Sequence, residues 1–387
     1  MASISVEFTR LINLFEGKAL RSYRKLDVFV KDSEAQTSPL KVLTLSNISN
    51  SSFGRYEISL CLDTSLLAVL RNKEKIRLNG YDNEQEKYLK SHFESKLVDK
   101  REKFLEYLDN LFRQGMRDAL ICAGLHKPQE IDDIISETSS TRLAFIPDSG
   151  VIERALLSRH ILNRISVLGN ERFFVALPRF CLWELENMAS NVKEALRKRK
   201  GFRGLQEIDS LKKYPSHIFD IQIPALYVLP SREGSRLSSD ALIRFQIREY
   251  ARAFSSLADA CFITCDRTNF AIAKLEGIRC YCLSIGDLFT IPSHIKIPSW
   301  NLLLGKMYTP ISTVLYELAI QYGSIRITGG ENLDIWIHGD FPDKKADDWI
   351  RGILQLELRN GNIEDLKNDL QSPSDNIKKV GENAFLW

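Results

Sequence analysis

The chain has 387 residues, 44% hydrophobic and 27% charged, which suits two or three packed domains and argues against extended disorder. Its 53 basic and 50 acidic residues leave a formal charge of +3, so only local clusters, not bulk charge, can argue for nucleic acid. No C-x-x-C, signal-peptide order or membrane-length apolar run occurs, so the seven cysteines read as reduced core residues of a cytoplasmic protein.

In chain order, residues 1–140 read as an N-terminal α/β domain. An amphipathic stretch (Phe8, Leu11, Leu14, Phe15) precedes alternating segments at Lys25–Val30, Lys41–Leu45 and Arg55–Cys61, which predict strands. A charged helical stretch follows from about Glu84 to Ala123, with apolar positions such as Phe93, Leu97, Phe104 and Leu108, and Ser136–Thr141 reads as a linker.

Residues 141–290 change character. The short apolar runs LAFI, FFVAL, LYVL, FITC and RCYCL alternate with helical stretches from about Gly150, Arg179, Ser239 and Thr268. Strands separated by helices predict a parallel sheet with right-handed crossovers, hence an α/β layered domain. After the Pro-punctuated stretch IPSHIKIPSW, residues 299–387 read as a small C-terminal α+β module. Its elements are a helix at Ile311–Tyr322, strands at Ser324–Thr328 and Leu333–His338, and a helix at Ala346–Leu358.

The chemistry gathers at strand ends of the central region. LAFIP ends in Asp148, FFVALP runs into a helix bearing Glu184, the helix after LYVL opens with Asp240, and FITC ends in Asp266. In an open parallel sheet the active crevice lies outside the carboxyl ends of the strands. Four acids meeting there repel one another and are costly to desolvate unless a divalent cation joins them; all-oxygen ligands suit Mg²⁺ or Mn²⁺. Such an ion can activate water and stabilise the leaving oxygen of a phosphodiester displacement. Taken singly, each acid also reads as a helix cap or a solvated side chain, as does neighbouring Glu186.

These pieces resemble the PIN-domain nucleases. The resemblance is carried by FIPDSGVIERAL, VALPRFCLWELENM, SSDALIRFQIREYA and CFITCDRTNFAIAKLEGIRCYCL, in that order, and the last segment, with its strand–Thr-x-Asp–helix–Gly-Ile–strand arrangement, is the most specific. It implies a PIN-like parallel sheet with helices on both faces and a metal-dependent endoribonuclease that places Asp148, Glu184, Asp240 and Asp266 in the four acidic positions. Two departures stand out: Pro147 removes an amide donor just before Asp148, and Asp240 lies unusually far before Asp266, which leaves Asp259 as a competitor.

Ser149, Thr264 and Asn269 are candidates to orient a metal-bound water or a substrate phosphate. Arg197, Lys198, Arg199, Lys200 and Arg203, with Arg244, Arg248 and Arg252 repeating at i, i+4, i+8, are candidates to grip an RNA backbone, though each also reads as a solvated helix face. No Walker loop, dinucleotide fingerprint or nucleophile elbow occurs, and the six histidines lack metal spacing. The expected function is hydrolysis of RNA phosphodiesters. The alternatives are an inactive PIN-like scaffold that binds RNA and a structure-specific DNA nuclease. Protein partners of the flanking regions and a homo-oligomer remain open, and no membrane association is expected.

Overall fold

Alternation sets the larger sheet. In a computed structural model of the chain, the strands β1 (Ala2–Glu7), β2 (Leu26–Asp32), β3 (Leu40–Ser46) and β4 (Tyr56–Asp63) form near the start of the chain. The residues described are 2–8, 10–11, 23, 25–32, 40–46, 48, 56–63, 115–124, 128, 130–138, 141–162, 165, 173–191, 194–212, 218–221, 239–283, 299–307, 311–329, 333–360, 367–368 and 370. Most of the helical stretches expected at Phe8–Phe15 and Glu84–Ala123 lie outside them, as does the LYVL strand; α1 (Gly115–Cys122) covers the end of the second.

The chain divides into two units, one formed by Met1–Leu125 with Asp287–Ala384 and the other spanning His126–Gly286. The first unit holds one eight-stranded sheet in the order β1-β13-β12-β11-β2-β3-β4-β10. Here β10 is Ser299–Met307, β11 Gly323–Gly329, β12 Leu333–His338 and β13 Ile353–Asn360, and every neighbouring pair runs antiparallel. The N-terminal α/β domain and the separate C-terminal module expected from the sequence are therefore corrected to one α+β unit built from both ends of the described chain.

Helix α8 (Ile311–Tyr322) is buried on nearly every side because β2, β11 and β12 pack against it as well as α1. The expected helix at Ala346–Leu358 also gives way. Helix α9 (Ala346–Ile350) stops before Gly352, whose φ is +66°, and the alternating Leu354 and Leu356 turn inward from β13.

The second unit carries a five-stranded parallel sheet in the order β7-β6-β5-β8-β9, flanked by helices. Its strands are β5 (Leu143–Pro147), β6 (Phe173–Pro178), β7 (Ile218–Ile221), β8 (Asp259–Thr264) and β9 (Cys280–Cys282). Helix α2 (Ile131–Thr138) precedes them and overlaps the stretch read as a linker. β5 is buried along its whole length, as a central parallel strand covered on both faces must be.

The remaining helices are α3 (Ser149–Glu153), α4 (Arg179–Ala189), α5 (Ala195–Leu211), α6 (Ser239–Phe254) and α7 (Arg267–Leu275), with a π-helical turn at Leu157–Leu162. From β5 the chain winds outward through β6 to β7, then returns to β8 on the other side of β5 and continues to β9. The switch point is thus the gap between the carboxyl ends of β5 and β8, where a doubly wound sheet opens its crevice.

Candidate carboxylate crevice

Asp148 and Asp266 stand on the two sides of that switch point, and Thr264 ties them together. The Thr264 hydroxyl donates to Asp148 Oδ2 and accepts from the Asp266 amide at 2.9 Å. The Asp148 amide in turn donates to the Ile263 carbonyl at 3.0 Å, so β5 and β8 stay paired up to the crevice. Pro147 is tolerated because the β5–β6 ladder has already ended at Phe145↔Val175; its carbonyl instead accepts from the Cys181 thiol at 3.4 Å.

Both aspartates also cap helices, so the structural role and the proposed chemical role coincide. Asp148 Oδ1 accepts from the Val151 amide at 2.9 Å and caps α3, whose first residue is Ser149. Asp266 Oδ1 accepts from the Thr268 and Asn269 amides at 2.6 and 3.2 Å and caps α7. Each carboxylate has about four lone-pair directions, so capping leaves capacity for a cation. Asp148 is only 6% exposed, and burial raises its carboxyl from 3.8 to about 6 even though Thr264, the Val151 amide and Arg154 favour the charged form.

Glu184 and Asp240 are reported by a thiol. Cys181, fully buried at the start of α4, is pushed well above its ordinary pKa first by burial and then by the negative charges of Asp148, Glu184 and Asp240. Cys282 likewise feels both Asp148 and Asp266. Asp148, Glu184 and Asp240 thus act together on Cys181, while Asp266 joins Asp148 only at Cys282; exposure rises from buried Asp148 through half-buried Glu184 and Asp240 to exposed Asp266. The competitor Asp259 is the first residue of β8, at the opposite end from Asp266, and pairs with Arg279 at 3.1 Å.

Among the described residues none of the four acids has a Lys or Arg partner within 4.0 Å, whereas Glu153, Asp209, Glu249 and Glu276 of the same unit each face one. As placed, no three His, Cys, Asp or Glu side chains among the described residues converge closely enough to hold one ion.

The basic candidates divide. Arg197 is exposed and Lys198 half-buried, but Arg199 and Arg203 are 2% and 6% exposed. With Glu207 they form an i, i+4, i+8 row on the buried side of α5, and Lys200 reaches Glu153 at 3.8 Å. Glu207 takes the Ser158 amide at 2.7 Å and its hydroxyl at 2.6 Å, tying α5 to the π-helical turn. Arg244 is also buried, with Nη1 donating to Asn269 Oδ1 at 2.6 Å. Arg248 and Arg252 are more open, facing Glu276 and Glu249 at 3.7 and 2.7 Å. Arg199, Arg203 and Arg244 are therefore withdrawn as backbone-gripping residues, because a guanidinium buried in the interior is not offered to a ligand. Asn269, 2% exposed, is turned toward Arg244 rather than outward.

Cys181 is the buried, reduced core residue that the sequence suggests, whereas Arg154 was missed. Arg154 sits beside Asp148 but spends its guanidinium on the Gly150 carbonyl (2.9 Å) and Glu153 (2.8 Å); its place at the end of the short helix that Asp148 caps was the signal available.

Replacing Thr264 by Val is expected to cost about 2 kcal/mol, since it leaves Asp148 Oδ2 and the Asp266 amide without the hydroxyl that serves both. The loss should be larger at pH 7.5 than at pH 5, because the hydroxyl favours the ionised form of Asp148; urea denaturation at both values checks this.

No helix of the described residues is long and apolar enough to cross a membrane. No protein-family model and no curated protein matches the chain. Among solved structures it is similar to a domain of a functionally unknown protein from Methanocaldococcus jannaschii DSM 2661, at 18% identity over 40% of this chain and 96% of that one, with a TM-score of 0.25, a likeness too slight to bear on fold or function.

Proposed function

We propose that the unit His126–Gly286 is a PIN-like metal-dependent endoribonuclease whose site is formed by Asp148, Glu184, Asp240 and Asp266. The observation that carries this reading is the pair Asp148 and Asp266, joined through Thr264 at the switch point, with no cationic side chain within 4.0 Å among the described residues and the buried Asp148 raised to about 6. Negative charge left uncompensated at such a place favours binding a cation. The donors are all oxygen, which suits Mg²⁺ or Mn²⁺.

When bound, the ion supplies Lewis acidity and a water of lowered pKa for attack on phosphorus. The chain's own residues do the rest. Thr264 holds Asp148 and Asp266 in register across the switch point, and the caps of α3 and α7 fix their carboxylates. Glu184 and Asp240 approach from α4 and α6, which pack together. Arg197, Lys198, Arg248 and Arg252 retain the exposure needed to meet a phosphate backbone.

A second reading, a PIN-like scaffold that binds RNA without cutting it, is favoured by the spread of the acids as placed. A single assay separates the readings: wild type and Asp266→Asn with Mn²⁺ on single-stranded RNA, single-stranded DNA and branched DNA. Cleavage of RNA alone, lost in the variant, is expected. Preference for branched DNA moves the function to a structure-specific DNA nuclease. Salt-sensitive RNA binding without any cleavage replaces the enzyme by the scaffold.

A further inference from the structure

Asp240 and Asp266 come from different helices, and something must hold those helices at a fixed separation. We propose that Arg244 is a positioning residue that braces α6 against α7 and so sets the spacing of Asp240 and Asp266; this rests on the nuclease reading above.

Arg244 lies one turn beyond Asp240 on α6, with its side chain 8% exposed. Its guanidinium grips α7 at both ends. Nη1 donates to Asn269 Oδ1 at 2.6 Å, in the first turn of α7, and Nε donates to Glu276 Oε1 at 3.2 Å, at that helix's C-cap. The Asn269 amide itself donates to Asp266 Oδ1 at 3.2 Å. The path from one acid to the other is therefore short: one helical turn from Asp240 to Arg244, one side-chain hydrogen bond to Asn269, and one cap bond to Asp266.

A planar guanidinium with donors in a fixed fork suits this task, because it holds two acceptors at a set angle; the single ammonium of a lysine cannot replace it. Arg244 also settles the Asn269 amide. Only an acceptor can face the guanidinium, so Oδ1 turns toward it and Nδ2 stays buried with no partner among the described residues. A buried donor left unmet is a cost, and it is carried here in the same contact that orients α7. The phosphate-gripping role read from the sequence fails for Arg244 on the same facts, since its donors point inward.

The test compares wild type, Asp148→Asn, Arg244→Met and Arg244→Lys. Mn²⁺ binding is followed by the paramagnetic resonance signal of the free ion, amide exchange by mass spectrometry, and binding of a single-stranded RNA oligonucleotide across a salt series without metal. Outer partners of metal ligands typically change affinity by about 10- to 100-fold. Arg244→Met should thus bind Mn²⁺ about 10-fold more weakly, with Arg244→Lys between it and wild type. The Thr268 and Asn269 amides should exchange faster while those of β5 and β6 do not change, and the salt slope should stay as in wild type.

If Arg244→Met binds Mn²⁺ as tightly as wild type while Asp148→Asn does not bind, the brace is overturned and the metal site stands. If wild type binds no Mn²⁺, both fall together. A salt slope lower by about one in Arg244→Met marks a phosphate contact and overturns the brace. Should Arg244→Met not fold, Arg244→Lys decides: behaviour identical to wild type in Mn²⁺ binding and exchange overturns the proposal.

Discussion

Asp148→Asn is expected to abolish Mn²⁺-dependent cleavage and, at neutral pH, to make the protein more stable. The activity loss should exceed about 100-fold, since even outer partners of metal ligands typically cost 10- to 100-fold. The stability gain follows from the raised carboxyl. In the folded protein Asp148 holds its proton up to about pH 6, against an ordinary value of 3.8. Below pH 4 it is protonated whether folded or not, and its ionisation costs the fold nothing. Between about 4 and 6 the unfolded chain ionises more readily, so stability drains away as pH rises, and above 6 the cost is complete. A rise from 3.8 to about 6 corresponds to about 3 kcal/mol.

An asparagine presents the same oxygen to the Val151 amide without that charge. Chemical denaturation of the metal-free protein should show little difference between variant and wild type at pH 4 and a gain approaching about 3 kcal/mol at pH 7.5. Added Mn²⁺ should then raise the melting temperature of wild type and leave the variant unmoved. A variant less stable than wild type at pH 7.5 would mean that Asp148 serves the fold rather than a ligand.

Gly201→Ala carries the largest expected loss of stability. Helices α4 and α5 cross in backbone contact, and a Cβ at Gly201 would lie 2.2 Å from the Ala189 amide nitrogen and 2.7 Å from the Met188 carbonyl carbon. No rotamer relieves a clash with main chain, so the helices must separate. Overpacking of this kind costs about 3 kcal/mol or more. Gly204 is the internal control. A Cβ there meets Leu185 Cδ2 at 2.5 Å, the movable end of a side chain, and Gly204→Ala should cost about 1 kcal/mol. Paired denaturation curves check the order. Equal losses at the two positions would mean that α4 and α5 do not cross so closely. Because α4 also carries Glu184, surviving Gly201→Ala protein should bind Mn²⁺ more weakly.

What could be read in advance followed from periodicity. The alternation in Leu26–Asp32, Leu40–Ser46 and Leu333–His338, and the strand ends that carry Asp148 and Asp266, are local features, and local features are what a sequence displays. Pairing at a distance is not displayed. Nothing in Ala2–Glu7 announces that its partner is Ile353–Asn360, so one sheet looked like two modules. The stretch after Ala346 was misread because a helix start and a strand share one run, and Gly352 is the only punctuation between them. The arginines were misassigned for a similar reason. A row at i, i+4, i+8 looks the same on a wet face and on a dry one: Glu207 merely continues the row of Arg199 and Arg203, and Glu276, which faces Arg244, is matched to it only in three dimensions.

The adjacency of β4 and β10 governs the order in which the molecule can be made. Those strands are antiparallel neighbours, with Asp63 opposite Ser299, yet the whole of His126–Gly286 is translated between them. As the chain leaves the ribosome, the parallel sheet has every strand it needs while its host still lacks half of its own. The acid-bearing unit can therefore fold first, and the host strands β1 to β4 must wait with open edges for β10 to β13. By the same connectivity, a flexible linker in place of His126–Gly286, which leaves α1 packed on α8, should let the host close its sheet without its guest.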